Sequence, residues 1–221
     1  MTEYVDLSEY SYGNYPISML NIGWLGLELG IPAEEGGVSA EVLDALKVEL
    51  KKPRSVSPGV HECEFCSSGE PMQGNGELHI YSADGKVYSA PTMIVHYIED
   101  HGYAPPVQFV EAVNRSTPLL WDSRAEALRK ILVDENDDFG WKVDALLDVT
   151  FWDDPRVDES VEQALADGEL LLVAEYEVGM ALAALWARRG AIDSHIYRNF
   201  SSEIKNHIDD EYGRMLERFP R

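Results

Sequence analysis

The chain has 221 residues and a formal net charge of −22, from 40 acidic and 18 basic side chains. Its 45% apolar and 26% charged residues are ordinary globular composition, with ample length to bury a core, which excludes wholesale disorder. So acidic a chain is a poor general binder of phosphate backbones or anionic membranes, both gripped by Lys and Arg, and leaves a basic protein partner or a metal ion open.

The charge is spread evenly. Residues 1–113 carry 17 acidic and 5 basic side chains, net −12, and residues 114–221 carry 23 and 13, net −10, so no acidic tail accounts for it. The stretch from Met1 to Gly13 has neither a basic n-region nor an apolar core, which predicts no signal peptide. The longest apolar stretch, around Leu170 to Trp186, is broken up by Glu169, Glu175 and Glu177, so no membrane span is expected. Only two cysteines, with two residues between them, rule out a disulfide framework and point to a reducing, cytoplasmic setting.

Texture changes near residue 115. Before it Gly and Pro are frequent; after it helical patterns follow one another. A boundary is predicted in Asn114-Arg115-Ser116-Thr117-Pro118. It separates a small α+β domain with a small antiparallel sheet, residues 1–114, from an all-α helical-hairpin domain, residues 115–221.

In the first domain, Ser39 to Leu50 predicts an amphipathic helix with Val42, Ala45, Leu46 and Leu50 on one face. Glu77 to Tyr81 and Lys86 to Tyr88 flank an Asp84-Gly85 turn and predict a hairpin. A helix is expected from Pro91 at its first position to a stop at Gly102, then a short one after Pro105-Pro106 with Phe109, Val110 and Val113 inward. Tyr4, Tyr10, Tyr12 and Tyr15 crowd the start and are expected to pack over the domain rather than serve as an interface. Trp24, Trp141, Trp152 and Trp186 sit in apolar patterns and are expected in the core.

In the second domain, Ser123 to Glu126 fits a capping box before a helix carrying Leu128, Ile131 and Leu132. Asp137 and Asp138 precede a helix with Val143, Leu146 and Leu147, and Asp154-Pro155 opens one with Val157, Val161, Ala164 and Leu165. After a break at Asp167-Gly168, one long helix is expected to end at Arg188-Arg189-Gly190. The last carries Ile204, Ile208, Tyr212, Leu216 and Phe219.

The sharpest chemical feature is His61-x-Cys63-x2-Cys66, followed by His96-x4-His101. A Cys-x-x-Cys knuckle turns two thiolates toward one ion, and Zn²⁺ favours thiolate and imidazole in a tetrahedral set. With His61, Cys63, Cys66, His96 and His101 available, and His79 besides, ligands are over-supplied, and any zinc is expected to be structural. Against this stand plainer roles: a core His96, a His101 cation at a helix C-terminus, and two small buried cysteines. A redox Cys-x-x-Cys lacks its activating helix, since Ser67 to Pro71 does not read as one. No phosphate loop, dinucleotide loop or nucleophile elbow is present, which disfavours an enzyme. Paired carboxylates at Glu34-Glu35, Asp137-Asp138, Asp153-Asp154 and Asp209-Asp210 read mainly as helix caps.

Residues 1–113 resemble an uncharacterised bacterial domain family, through Asp6 to Tyr12, Leu20 to Leu25, His61 to Cys66, Gly76 to Ile80 and Tyr88 to Pro106. That family implies no activity. Residues 123–219 are similar to short HEAT-like helical domains of bacteria, some found beside polymorphic toxins, through Asp144 to Arg156 and Val178 to Asp193. The second resemblance implies a protein-binding role, such as an immunity protein neutralising a basic toxin. Asp134, Glu135, Asp137, Asp138, Asp153 and Asp154 are then the candidate contacts. A zinc-dependent enzyme using Cys63, Cys66 and a histidine, and a helical-repeat adaptor, are the alternatives.

Overall fold

A computed structural model describes residues 3–32, 37–67, 69–166 and 168–218. Glu34, Glu35, Ser68, Asp167 and Phe219, on which expectations fell, lie outside these, as does the side chain of Leu216. The chain folds as two compact units, Met1–Thr117 and Pro118–Arg221, α+β and helical respectively.

The first unit is built on a three-stranded sheet, ordered β1 (Leu20–Asn21), β5 (Val87–Pro91), β4 (Glu77–Tyr81). The β4–β5 hairpin turns at Asp84-Gly85 as the sequence predicts, while β1 joins β5 in parallel, so the sheet is mixed. A separate antiparallel pair joins β2 (His61–Glu62) to β3 (Gln73–Gly74). Helices α1 (Ala40–Glu49), α2 (Ile94–His101) and α3 (Val107–Val113) complete the unit. Ser39 caps α1 by accepting from the Val42 amide. Gly102 ends α2 with φ of 68°, a left-handed turn that a side chain disfavours.

Pro91 departs from expectation: it closes β5 opposite Glu77, and α2 begins three residues later. A proline here costs the sheet no hydrogen bond. β1 reaches only Tyr88 and Ser89, and the Glu77 backbone exchanges both its bonds with Arg54.

Strand alternation divides the sheet. Leu78, Ile80, Tyr88 and Ala90 join Ile94, Tyr97, Phe109 and Leu46 in the main core. Glu77, His79 and Ser89 alternate with them, and they too are buried. The tyrosine-rich start of the chain lies over these groups, as expected. The Tyr15 ring stacks 5.2 Å from His79, and Tyr10 donates its hydroxyl proton to Glu77 at 2.8 Å. Ser89 Oγ donates to the other Glu77 oxygen at 2.5 Å.

The second unit contains α4 (Ser123–Val133), α5 (Phe139–Asp148) with a 3-10 turn (Val149–Phe151), and α6 (Pro155–Ala166). Then come α7 (Glu169–Val173), α8 (Glu175–Arg189), α9 (Ser194–Tyr197) and α10 (Ser202–Arg218). α4 packs on α5 and α6, α5 on α8, and α8 on α10. Four expectations need correction. The α4 cap is Asp122, whose carboxylate takes the amides of Arg124 and Ala125 while also binding the Arg124 guanidinium. The single long helix is two, interrupted at Ala174. Val143 and Trp141 are only half-buried, because α5 is turned so that Asp144, Leu147 and Asp148 face inward with Ala145 and Leu146. Tyr212 is half-buried, and Glu211 is the buried residue beside it.

α8 and α10 meet closely at Gly179, where an added Cβ would lie 2.5 Å from the His207 Cβ. Arg188, near the end of α8, donates to the backbone carbonyls of Thr150 and Trp152 and so satisfies acceptors left by the end of α5 and its 3-10 turn. No helix among the described residues is long and apolar enough to cross a membrane.

The buried Glu77 carboxylate gives the first unit a pH signature. Burial alone would raise its pKa, but the His79 contact and the Ser89 and Tyr10 hydrogen bonds outweigh it and hold the group below the ordinary glutamate value. The ionised form therefore contributes stability that is complete above the unfolded-state value and is lost as pH falls through the lower folded-state one. Glu77→Gln is expected to flatten the fall of the first unit's Tm between about pH 5 and 3. An unchanged acid limb, followed by circular dichroism, would contradict this.

Candidate metal centre

The β2–β3 pair is only two residues long on each strand, and the turn between them carries both cysteines. Cys63 sits at the end of β2, its amide donating to the Met72 carbonyl at 2.8 Å. Cys66 follows one turn later, half-buried. α2 brings the imidazoles, with His96 in its first turn and His101 as its last residue.

Four side chains converge: Cys63, Cys66, His96 and His101 place one ligand atom each within 4.8 Å of every other. Cys63 Sγ is 3.3 Å from His101 Nε2, Cys66 Sγ is 3.3 Å from His96 Nε2 and 3.6 Å from His101 Nε2, and the two Nε2 atoms are 3.1 Å apart. Zinc–ligand bonds of about 2.3 Å to sulfur and about 2.0 Å to nitrogen, opened to a tetrahedral angle, give edges of about 3.5 Å for S–N and about 3.3 Å for N–N. These four separations lie within about 0.2 Å of those edges. The residues lie close enough to bind a metal ion.

A fifth residue completes the arrangement. His96 Nδ1 lies 2.7 Å from the Asp100 carboxylate, one turn along α2. With the Nδ1 proton donated to Asp100, Nε2 turns its lone pair toward the sulfurs, the tautomer a metal needs. Sequence reasoning missed Asp100, although its i+4 spacing from His96 was the available signal. Phe65, inside the knuckle, packs on Tyr97 and His101 at ring distances of 6.1 and 5.7 Å. Burial pushes the Cys63 thiol pKa up, so charge on that sulfur calls for a cation beside it.

Two of the over-supplied histidines are placed elsewhere. His61, on β2, meets the Tyr12 ring at 6.4 Å and lines a cleft; it does not join the four. His79 is buried against Glu77 on the opposite face of the sheet from the main core. The helical unit's six acidic candidates are also accounted for. Asp138 caps α5, Asp154 takes the Arg156 amide and guanidinium, and Asp134 closes the turn after α4 onto Asn136. Glu135 and Asp153 are exposed, and Asp137 is half-buried.

Residues 2–114 match the model of the family described as Domain of unknown function (DUF7919). No curated protein and no solved structure matches the chain.

Asp100→Asn is expected to weaken metal affinity by about 10- to 100-fold, through loss of the carboxylate that orients His96. Cys66→Ser removes a ligand and is expected to cost more. Competition with a chromophoric chelator measures both, and equal affinity of Asp100→Asn and wild type would discount the orienting role.

Proposed function

Because the chain belongs to the DUF7919 family, whose description assigns no activity, we propose from the geometry that it is a non-enzymatic binding protein whose first unit is held by one structural Zn²⁺. The observation that carries this reading is the count of ligand atoms: two sulfurs and two nitrogens lie within 4.8 Å of one another, as many as a tetrahedral ion takes. A catalytic zinc keeps one position for water, and here four protein atoms are at hand to fill all four.

The proposed partner is a basic protein. The charge of −22 supports fast, salt-sensitive encounter with such a surface, with exposed Glu135 and Asp153 among the acidic groups of the helical unit. An immunity-type role against a basic toxin is the specific form of this proposal. A HEAT-like hairpin stack is its structural counterpart, supported by the packing of α4 on α6 and of α5 on α8.

Protein purified without chelator is expected to carry one zinc per chain. Its Co²⁺-substituted form should show the visible absorption of a tetrahedral S2N2 site, unchanged by added cyanide or azide. Absence of stoichiometric metal would remove the zinc reading. A spectrum perturbed by the anions would reveal an open position and make the site that of a metalloenzyme.

A further inference from the structure

A cleft in the first unit is lined by none of the four candidate metal ligands, although His61 and Tyr97 in its wall neighbour them. The starting segment of the chain, the β2–β3 pair and α2 enclose this cleft of about 440 Å³ counting the space open to solvent, of which about 20 Å³ takes the centre of a water-sized sphere. That is room for the head of a ligand rather than for a whole cofactor. Trp24, Met93 and Tyr97 are buried in its lining, and Tyr12 and His61 stand at the more open side.

Four lining residues, Tyr12, Trp24, His61 and Tyr97, bring rings to the cleft. Tyr12 lies against Trp24 with ring centroids 5.4 Å apart and planes inclined by 35°, and it meets His61 at 6.4 Å and 62°. Tyr4 backs the Trp24 ring edge-on at 6.2 Å, and the indole N–H donates to the Ser89 carbonyl at 3.2 Å. These bonds hold the indole in place before any ligand arrives, which lowers the ordering cost of binding.

The full charge in the lining of the cleft has one sign, and His79 lies beside the Glu77 carboxylate at 3.4 Å. Glu77 is the one charged residue among those lining the cleft, and no Lys or Arg joins them. The surrounding residues 1–113 carry a net −12. Aromatic faces attract cations through their quadrupoles, and most strongly where water is excluded. A bare ammonium is compact and strongly hydrated, and although Ser55, Ser57, Asn75 and Thr92 are among the lining residues, most of the surface facing the cleft is apolar. A methylated ammonium spreads its charge over an apolar surface and loses less on leaving water.

We propose that this cleft binds an alkylammonium head group, of the quaternary or methylated kind, against the rings of Tyr12, Trp24, His61 and Tyr97, with the Glu77 carboxylate supplying a favourable field. Two sources supply this chemistry, a free small molecule such as choline and a methylated lysine side chain, and the test separates them. Glu77 acts at a distance in this arrangement, because Tyr10 and Ser89 already donate to its oxygens.

The test uses the intact, metal-loaded chain and isothermal titration with three probes: choline, its neutral isostere 3,3-dimethylbutan-1-ol, and a blocked tripeptide containing trimethyllysine. Saturable binding of a cationic probe is expected, with the neutral alcohol about 3- to 30-fold weaker. Tighter binding of choline assigns a small-molecule ligand, and tighter binding of the peptide assigns a modified protein. Tyr12→Ala should weaken binding by a similar factor while Tyr12→Phe retains it. Tyr12 is 45% exposed, so its removal leaves the core intact, which circular dichroism of the variant checks. Equal affinity for the neutral alcohol, no saturation by either cation, or wild-type affinity in Tyr12→Ala would overturn the proposal. None of the four metal ligands lines the cleft, so such a failure leaves the zinc reading standing.

Discussion

The approach of two sulfurs to two imidazole nitrogens fastens parts of the first unit that backbone hydrogen bonds alone hold weakly. β2 and β3 pair over two residues each, and so short a ribbon is marginal in water. The Cys63–Cys66 turn ties that ribbon to α2, which also carries Tyr97 into the main core. His61 and Gly74 lie on the same ribbon and line the cleft, as does Tyr97. The cluster of Cys63, Cys66, His96 and His101 thus lies between elements that also wall the cleft. Side chains do here what a larger sheet does elsewhere.

The cysteine pair was legible as a candidate metal knuckle, because two thiols at that spacing can face one ion. The choice among four histidines was not legible. His79 follows the alternation of β4 onto the face shared with Glu77, and His61 pairs with a tyrosine 49 residues earlier in the chain; neither fact is local. Pro91 misled for a related reason. A proline before an apolar run marks a helix start, and only the shortness of β1 makes the end of an inner strand tolerate it. The break at Ala174 carries no Gly or Pro, so nothing in the local sequence announced it.

In the helical unit, local chemistry read well where it was self-contained. Asp138 and Asp154 cap the helices they precede, and such caps need only a short polar side chain two or three residues upstream of an amide. These caps also lessen the significance of acidity. A carboxylate that accepts amide protons is committed to the fold, so the charge available to a partner is smaller than the formal total. The scarce cations follow the same logic, since Arg54 and Arg188 are both directed at backbone carbonyls.

Gly179 links the last two long helices in a way that reaches beyond packing. A glycine in mid-helix weakens α8 by about 1 kcal/mol relative to alanine, exactly the kind of defect that protein engineers repair. Repair is closed off here, because the missing methyl is where α10 passes. α8 is therefore intrinsically the poorer helix at its tightest contact, and it gains its order from the neighbour that fills the gap. The stability of α8 is thereby tied to the presence of α10 beside it, and with it the position of Arg188 near the end of α8.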